Sequence, residues 1–108
     1  MPQISKVPLP REVEKRIRTA FKESLTRISS GSEMEKYIFD LFTPTEQVMF
    51  AKRLAIAALL TKNFPYKEIS DKLRVSTATV ARINLWLRSS GSGYRRAVEK
   101  SGDWKVLL

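Results

Sequence analysis

Lys67, Lys72, Arg74, Arg82 and Arg88 surround four small residues, Ser76-Thr77-Ala78-Thr79, in and just after the stretch YKEISDKLRVSTATVARI. The chemistry open to such a set is anion binding. Guanidinium and ammonium groups neutralise phosphates. A Ser before a helix caps it and leaves the first backbone N–H groups directed outward, where a phosphate can sit. Short side chains at the same place let a helix end come close to base edges. Other chemistries are excluded by composition. The chain has no His and no Cys, so it lacks the commonest general base, the commonest metal ligand and any thiolate site. The carboxylates of EVEKRIRTAFKE have no companions and read as a solvated helix face with i,i+4 pairs. GSGYRR, at 91–96, lacks the Lys-Ser/Thr of a P-loop, and no strand precedes it. It reads as a helix stop followed by a helix start, with Gly91 and Gly93 as cap residues and Arg95 and Arg96 near backbone phosphate. No catalytic residue and no metal site is expected, and the chain does not read as an enzyme.

The cations need elements to hold them. Ile69 and Leu73 lie one turn apart, Val75 follows in the turn, and Val80 and Ile83 lie three apart further on. These five can form one small core between two short helices, 66–73 and 77–89. Ser70 is small enough for the helices to cross closely. Two short helices with so tight a turn make a helix-turn-helix. Arg74 occupies the turn position often filled by Gly, where a positive φ is costly for Arg. The plainer alternative is a pair of packed helices in an all-α domain.

Upstream, Val13, Ile17, Phe21, Leu25 and Ile28 mark one apolar face of a helix over 11–29. A second helix is expected over 33–42. TPTE follows: Thr43 caps, Pro44 suits the first helical position and Glu46 completes a capping box. The long helix it opens runs over 44–63 and contains LAIAALL, apolar on every side. A helix apolar all round is buried all round, and one chain of 108 residues would struggle to enclose it. A last short helix is expected over 94–100. Trp86 reads as a core or dimer contact. Trp104, in DWKVLL, either packs back on the core or offers an apolar tail.

Net charge is +9, unevenly spread. Residues 1–31 and 64–108 are strongly basic, while 32–63 balance. That distribution puts cationic surfaces around a neutral centre and attracts nucleic acid, anionic membrane or acidic protein. The longest apolar run has seven residues, far short of a membrane span, and the first ten residues lack the apolar core of a signal peptide. A cytoplasmic, nucleoid-associated protein is expected. The organisation expected is a flexible basic arm (1–10), a helical dimerisation core (11–63), a helix-turn-helix reading head (64–90) and a C-terminal helix and tail (91–108).

The stretch from Leu41 to Val98 resembles the Trp repressor family, most closely its YerC-like branch. LFTPTE, KRLAIAALL, YKEISDKL and VSTATVARIN carry the resemblance, specific together rather than singly. It implies an all-α helical bundle with a helix-turn-helix, formed as an intertwined homodimer. Two heads would enter successive major grooves about 34 Å apart on a near-palindromic duplex. It aligns Thr77, Ala78 and Ala81 with the groove-facing positions and Lys67 and Ser70 with flanking contacts. Ala81 stands where tryptophan repressors have Thr, which implies a different operator. The resemblance also implies a ligand position: Thr43, Arg53 and Arg82 match the residues that hold L-tryptophan. Two departures count against that ligand. Ile83 replaces a Gly, and the long helix is one residue shorter between Arg53 and Leu60, which turns later side chains by about 100°. No cofactor is therefore expected, and Arg53 and Arg82 read as phosphate contacts or surface ion pairs.

These readings converge on a sequence-specific, double-stranded-DNA-binding regulator, dimeric and repressor-like, without membrane or metal partners. Ser76 caps the inserted helix, Thr77, Ala78 and Ala81 meet base edges, and Lys67, Arg74, Arg82 and Arg88 hold phosphates. The alternatives are a protein–protein interaction module and a nucleoid-type binder without sequence preference.

Overall fold

The computed structural model describes residues 7–102 and 104. Most of the expected N-terminal arm and most of the end of DWKVLL lie outside the described residues. Among those described there are six helices and no strand: α1 (Arg11–Arg27), α2 (Gly31–Leu41), α3 (Pro44–Thr61), α4 (Tyr66–Leu73), α5 (Thr77–Ser89) and α6 (Ser92–Lys100). The chain divides into two compact units, residues 1–47 and 48–108.

In the first unit, α1 ends at Arg27, two residues before the expected stop. Ile28 is already extended, with φ −78° and ψ 116°. α2 starts two residues before the expected Glu33, because Ser30 caps it: the Ser30 hydroxyl oxygen accepts from the Glu33 N–H at 3.1 Å. The hydroxyls of Ser24 and Tyr37 lie 2.6 Å apart and link α1 to α2. The capping box opening α3 is fully formed. Thr43 N–H donates to Glu46 Oε1 at 2.9 Å, and Glu46 N–H donates to Thr43 Oγ1 at 3.1 Å. Two of the helix's otherwise unmet donors are thus satisfied at the place the sequence marks. The i,i+4 pairs expected on α1 are present as Glu14–Arg18 and Glu23–Arg27, both exposed. No residue of α1 or α2 is buried within the chain.

The second unit is built around the latter part of α3. Ala55 through Leu59 are consecutively buried, so the centre of LAIAALL is enclosed all round, while Leu54 and Leu60 at its ends are half-buried. The expectation that one chain would struggle to do this is corrected. Ile56, Ala57 and Leu59 share a cluster with Ile69 of α4 and with Val80, Ile83 and Leu87 of α5. Tyr94 and Val98 of α6 pack against the same cluster. Three short helices after α3 therefore cover Ile56, Ala57 and Leu59 within one chain. Fully burying each of its large aliphatics contributes about 1.5–3 kcal/mol.

α3 ends at Thr61 rather than Asn63. Asn63 adopts a left-handed conformation at φ 64°, and Phe64 N–H donates back to Leu59 O at 3.1 Å. That six-to-one bond is a Schellman closure, with Phe64 as its apolar contact on the core. Asn tolerates this conformation better than most residues. Pro65 then prevents any resumption before α4.

Candidate nucleic-acid interface

α4 and α5 have the bounds their spacing implies, and three residues separate them. Ile69, Val80 and Ile83 are fully buried, while Leu73 and Val75 pack on their cluster half-buried. The turn is closed twice. The N–H groups of Arg74 and Val75 both reach Ser70 O, the latter at 3.2 Å, and Ser70 Oγ donates to Val75 O. Ser70 is therefore half-buried and commits its hydroxyl proton to the turn. Arg74 sits at φ 56° and ψ 50°, the left-handed conformation its place in the turn demands.

Ser76 caps α5. Its hydroxyl oxygen accepts from Thr79 N–H at 3.1 Å and lies 2.9 Å from Thr79 Oγ1. The N–H groups of Thr77 and Ala78 precede the first intrahelical bonds and stay directed out of the helix end. Thr77, Ala78, Ala81 and Arg82 are exposed, whereas Thr79 is half-buried and Val80 fully buried. The small-residue end of α5 is thus open to solvent, with its apolar positions turned inward.

Lys67, Arg74, Arg82 and Arg88 are all exposed, and none makes an ion pair among the described residues. The ion pairs found lie on α1 and α6. A phosphate approaching the head would not have to displace a carboxylate from any of these four cations, which keeps the electrostatic gain whole.

Two anchoring contacts have no signature in the sequence. Asn84 Nδ2 donates to Tyr66 Oη at 2.6 Å, joining the first residue of α4 to the middle of α5. Arg95 holds the other end of α5: Nη1 donates to Ser90 O at 3.0 Å and Nη2 to Leu87 O at 2.8 Å. Arg95 is thereby engaged within the protein, while Arg96 pairs with Glu99 on the surface of α6. Gly91 caps α6 at φ 72°, as its type suggests, but Gly93 lies inside the first turn of α6, which begins at Ser92.

Of the residues aligned with a ligand position, Thr43 serves as the α3 cap, and the Arg53 guanidinium lies 5.3 Å from the centre of the Phe50 ring. Ile83 is buried in the core of the head. Trp86 is exposed rather than in that core, because Leu87 takes the inward position and turns its neighbour away. The Trp104 indole N–H donates to Ser101 Oγ at 3.0 Å, and its half-buried ring lines a groove of about 410 Å³ with Thr61 and Val98. Among the described residues no cluster of acidic side chains could hold a metal, and no helix is long and apolar enough to cross a membrane.

The class defined by this architecture is an all-α protein that presents an open, Ser-capped helix end on a surface with several exposed cations. The comparisons narrow it. A model of the Trp repressor protein family matches residues 17–101. A Trp operon repressor homolog of Actinobacillus succinogenes is 43% identical over 88 residues, covering 81% of this chain and 79% of that protein. No solved structure matches. The chain belongs to the Trp repressor family, whose members are transcription regulators and not enzymes, and its fold is the all-α fold of that family.

Proposed function

We propose that this protein is a repressor-like transcriptional regulator that binds double-stranded DNA sequence-specifically through α4 and α5, used as a helix-turn-helix. The observation that carries the reading is the open, Ser76-capped end of α5, together with exposed Lys67, Arg74, Arg82 and Arg88 along α4, the turn and α5, none of them ion-paired among the described residues. α5 enters the major groove. Thr77, Ala78 and Ala81 meet base edges, and backbone N–H groups at the helix start meet a phosphate. Lys67, Arg74, Arg82 and Arg88 neutralise the flanking backbone, and Ser70 sets the turn that aims them. The name of the Actinobacillus succinogenes relative supports the same reading. The protein acts on the nucleoid, in the cytoplasm.

The working form is a homodimer. Val13, Ile17, Phe21 and Leu25 lie exposed along one face of α1, at helical spacing. A stripe of this kind is covered in a stable protein, and a second copy is the partner the reading assigns to it. Two heads then match a near-palindromic site.

DNA binding needs no small-molecule effector. Ile83 spends its branched side chain on the core, and the Arg53 guanidinium is stacked on Phe50. Both support a head that is set without L-tryptophan.

Selection of bound sequences from a random duplex library, with and without L-tryptophan, tests this reading. The expected outcome is a palindromic consensus, half-sites about 10 base pairs apart, and no effect of the amino acid. Steep salt dependence without any consensus would identify a nucleoid-type binder instead. Absence of duplex binding would leave the helix pair to a protein partner.

A further inference from the structure

The start of α5 is set by its cap and by the Ser70 turn, and its middle is tied to Tyr66 through Asn84. Its far end is held by another element. After Ser90 the chain reverses at Gly91, whose φ of 72° favours glycine and whose Cβ, if it had one, would lie 2.7 Å from both Cα and O of Leu87. That reversal brings α6 back along the head. Tyr94 and Val98 pack against its core, and the Arg95 guanidinium reaches the Leu87 carbonyl in the last turn of α5 and the carbonyl of its C-cap, Ser90.

The last carbonyls of a helix lack intrahelical partners and carry the negative end of its dipole. A planar guanidinium that bridges two of them satisfies both and fixes their direction. We infer that Arg95 is a positioning residue for base discrimination: α6 is a brace on the reading helix, and Arg95 transmits it. The inference rests on the reading of α5 as the DNA-reading helix and deepens it. With α5 tied near its middle at Asn84, about 10 Å from the first turn at 1.5 Å per residue, a tilt of about 5° on release of the far end moves the first turn by about 0.9 Å. That exceeds the whole distance range of a good hydrogen bond, which spans about 0.5 Å. Base-edge contacts would be lost while long, flexible Lys and Arg side chains followed the phosphates. Loosening the brace therefore lowers discrimination and spares the electrostatic part of binding.

Arg96 is the built-in control. It is the next residue, carries the same charge, lies exposed and, among the described residues, pairs with Glu99. The experiment measures Arg95→Gln and Arg96→Gln in the full chain against the duplex selected by the wild-type protein and a scrambled duplex, across a salt series. Amide hydrogen exchange is followed in parallel. Arg95→Gln is expected to lower the ratio of selected to scrambled affinity tenfold or more, to leave the salt slope unchanged, and to speed exchange in residues 87–90. Arg96→Gln is expected to keep the ratio and the exchange rates of the wild type. Equal ratios in the two variants overturn the proposal. So does a slope flattened by about one unit in Arg95→Gln alone, which would make Arg95 a phosphate contact. Unchanged exchange at 87–90 overturns the brace itself. If Arg95→Gln loses its helical circular dichroism, Arg95→Lys is measured in the same way. It keeps the charge but not the planar bridge, and a wild-type ratio in it overturns the proposal. A wild-type protein without preference between the duplexes sinks the DNA reading in its own arm, and the exchange measurement still decides the brace.

Discussion

The side-chain amide of Asn84 reaches across the head to the hydroxyl of Tyr66, 18 positions earlier in the chain, and ties α4 to α5 at 2.6 Å. The bond supplements the buried aliphatics, which resist separation of the helices but give less directional control over one helix sliding along the other. Tyr66→Phe deletes the hydroxyl and keeps the ring. Because the bond is exposed, the stability lost should be small, about 0.5–1 kcal/mol, and measurable as a lowered urea midpoint with an unchanged m-value. An unchanged midpoint would mean that the bond does no more than its water-filled alternative.

Arg74 offers a sharper separation of stability from binding. A left-handed conformation costs an L-residue about 1–2 kcal/mol, and Gly restores about 0.4–1 kcal/mol of unfolded-state entropy against that relief. The net expectation for Arg74→Gly is a gain of about 0.5 kcal/mol, read as a higher thermal midpoint. The same variant should bind duplex DNA more weakly, because a phosphate-facing cation is gone. A variant that is more stable and binds equally well would remove Arg74 from the interface.

Arg82 tests the electrostatic part alone. It is exposed and makes no ion pair among the described residues, so Arg82→Ala should leave the fold intact. Affinity for the selected and scrambled duplexes should fall together, and the plot of log affinity against log salt should flatten by about one unit. A slope equal to the wild type's would show that Arg82 neutralises no phosphate.

The stripe on α1 predicts the assembly. Phe21→Glu places a charge in the middle of Val13, Ile17, Phe21 and Leu25, where a partner surface would have to desolvate it. Light scattering should give a dimer mass for the wild type and a monomer mass for the variant at micromolar concentration. A wild-type monomer, or a Phe21→Glu dimer, would remove α1 from the interface.

How much of this was legible in the sequence depended on how local the cause was. The Thr43–Glu46 box could be read because cap and partner lie three residues apart, and both bonds are present. Arg74 could be flagged because a three-residue turn between two helices leaves few backbone conformations, and its φ is positive as feared. The all-round burial that LAIAALL implies holds for Ala55–Leu59, its five central residues. The companion expectation, that one chain would struggle to enclose it, missed that residues of α4, α5 and α6, the last reached through the reversal at Gly91, gather on Ile56, Ala57 and Leu59. The role of Arg95 was hidden for the same reason: its acceptors are backbone carbonyls, which every residue has, and only the reversal brings them within reach. Of the two places open to Trp86, core or dimer contact, the core is excluded, because Leu87 takes that stretch of core and period alone does not decide between adjacent apolar residues.

The account stands on α5 reading bases with its first turn. The most direct measurement is competition of a selected against a scrambled duplex for Thr77→Arg, with circular dichroism as the control for folding. Thr77 is exposed in the first position of α5, so the helix should tolerate the longer side chain. The bulk at the groove-facing end should abolish the preference, while the added charge keeps or raises affinity for any duplex. A folded Thr77→Arg protein that still chooses the selected duplex as strongly as the wild type would contradict the account.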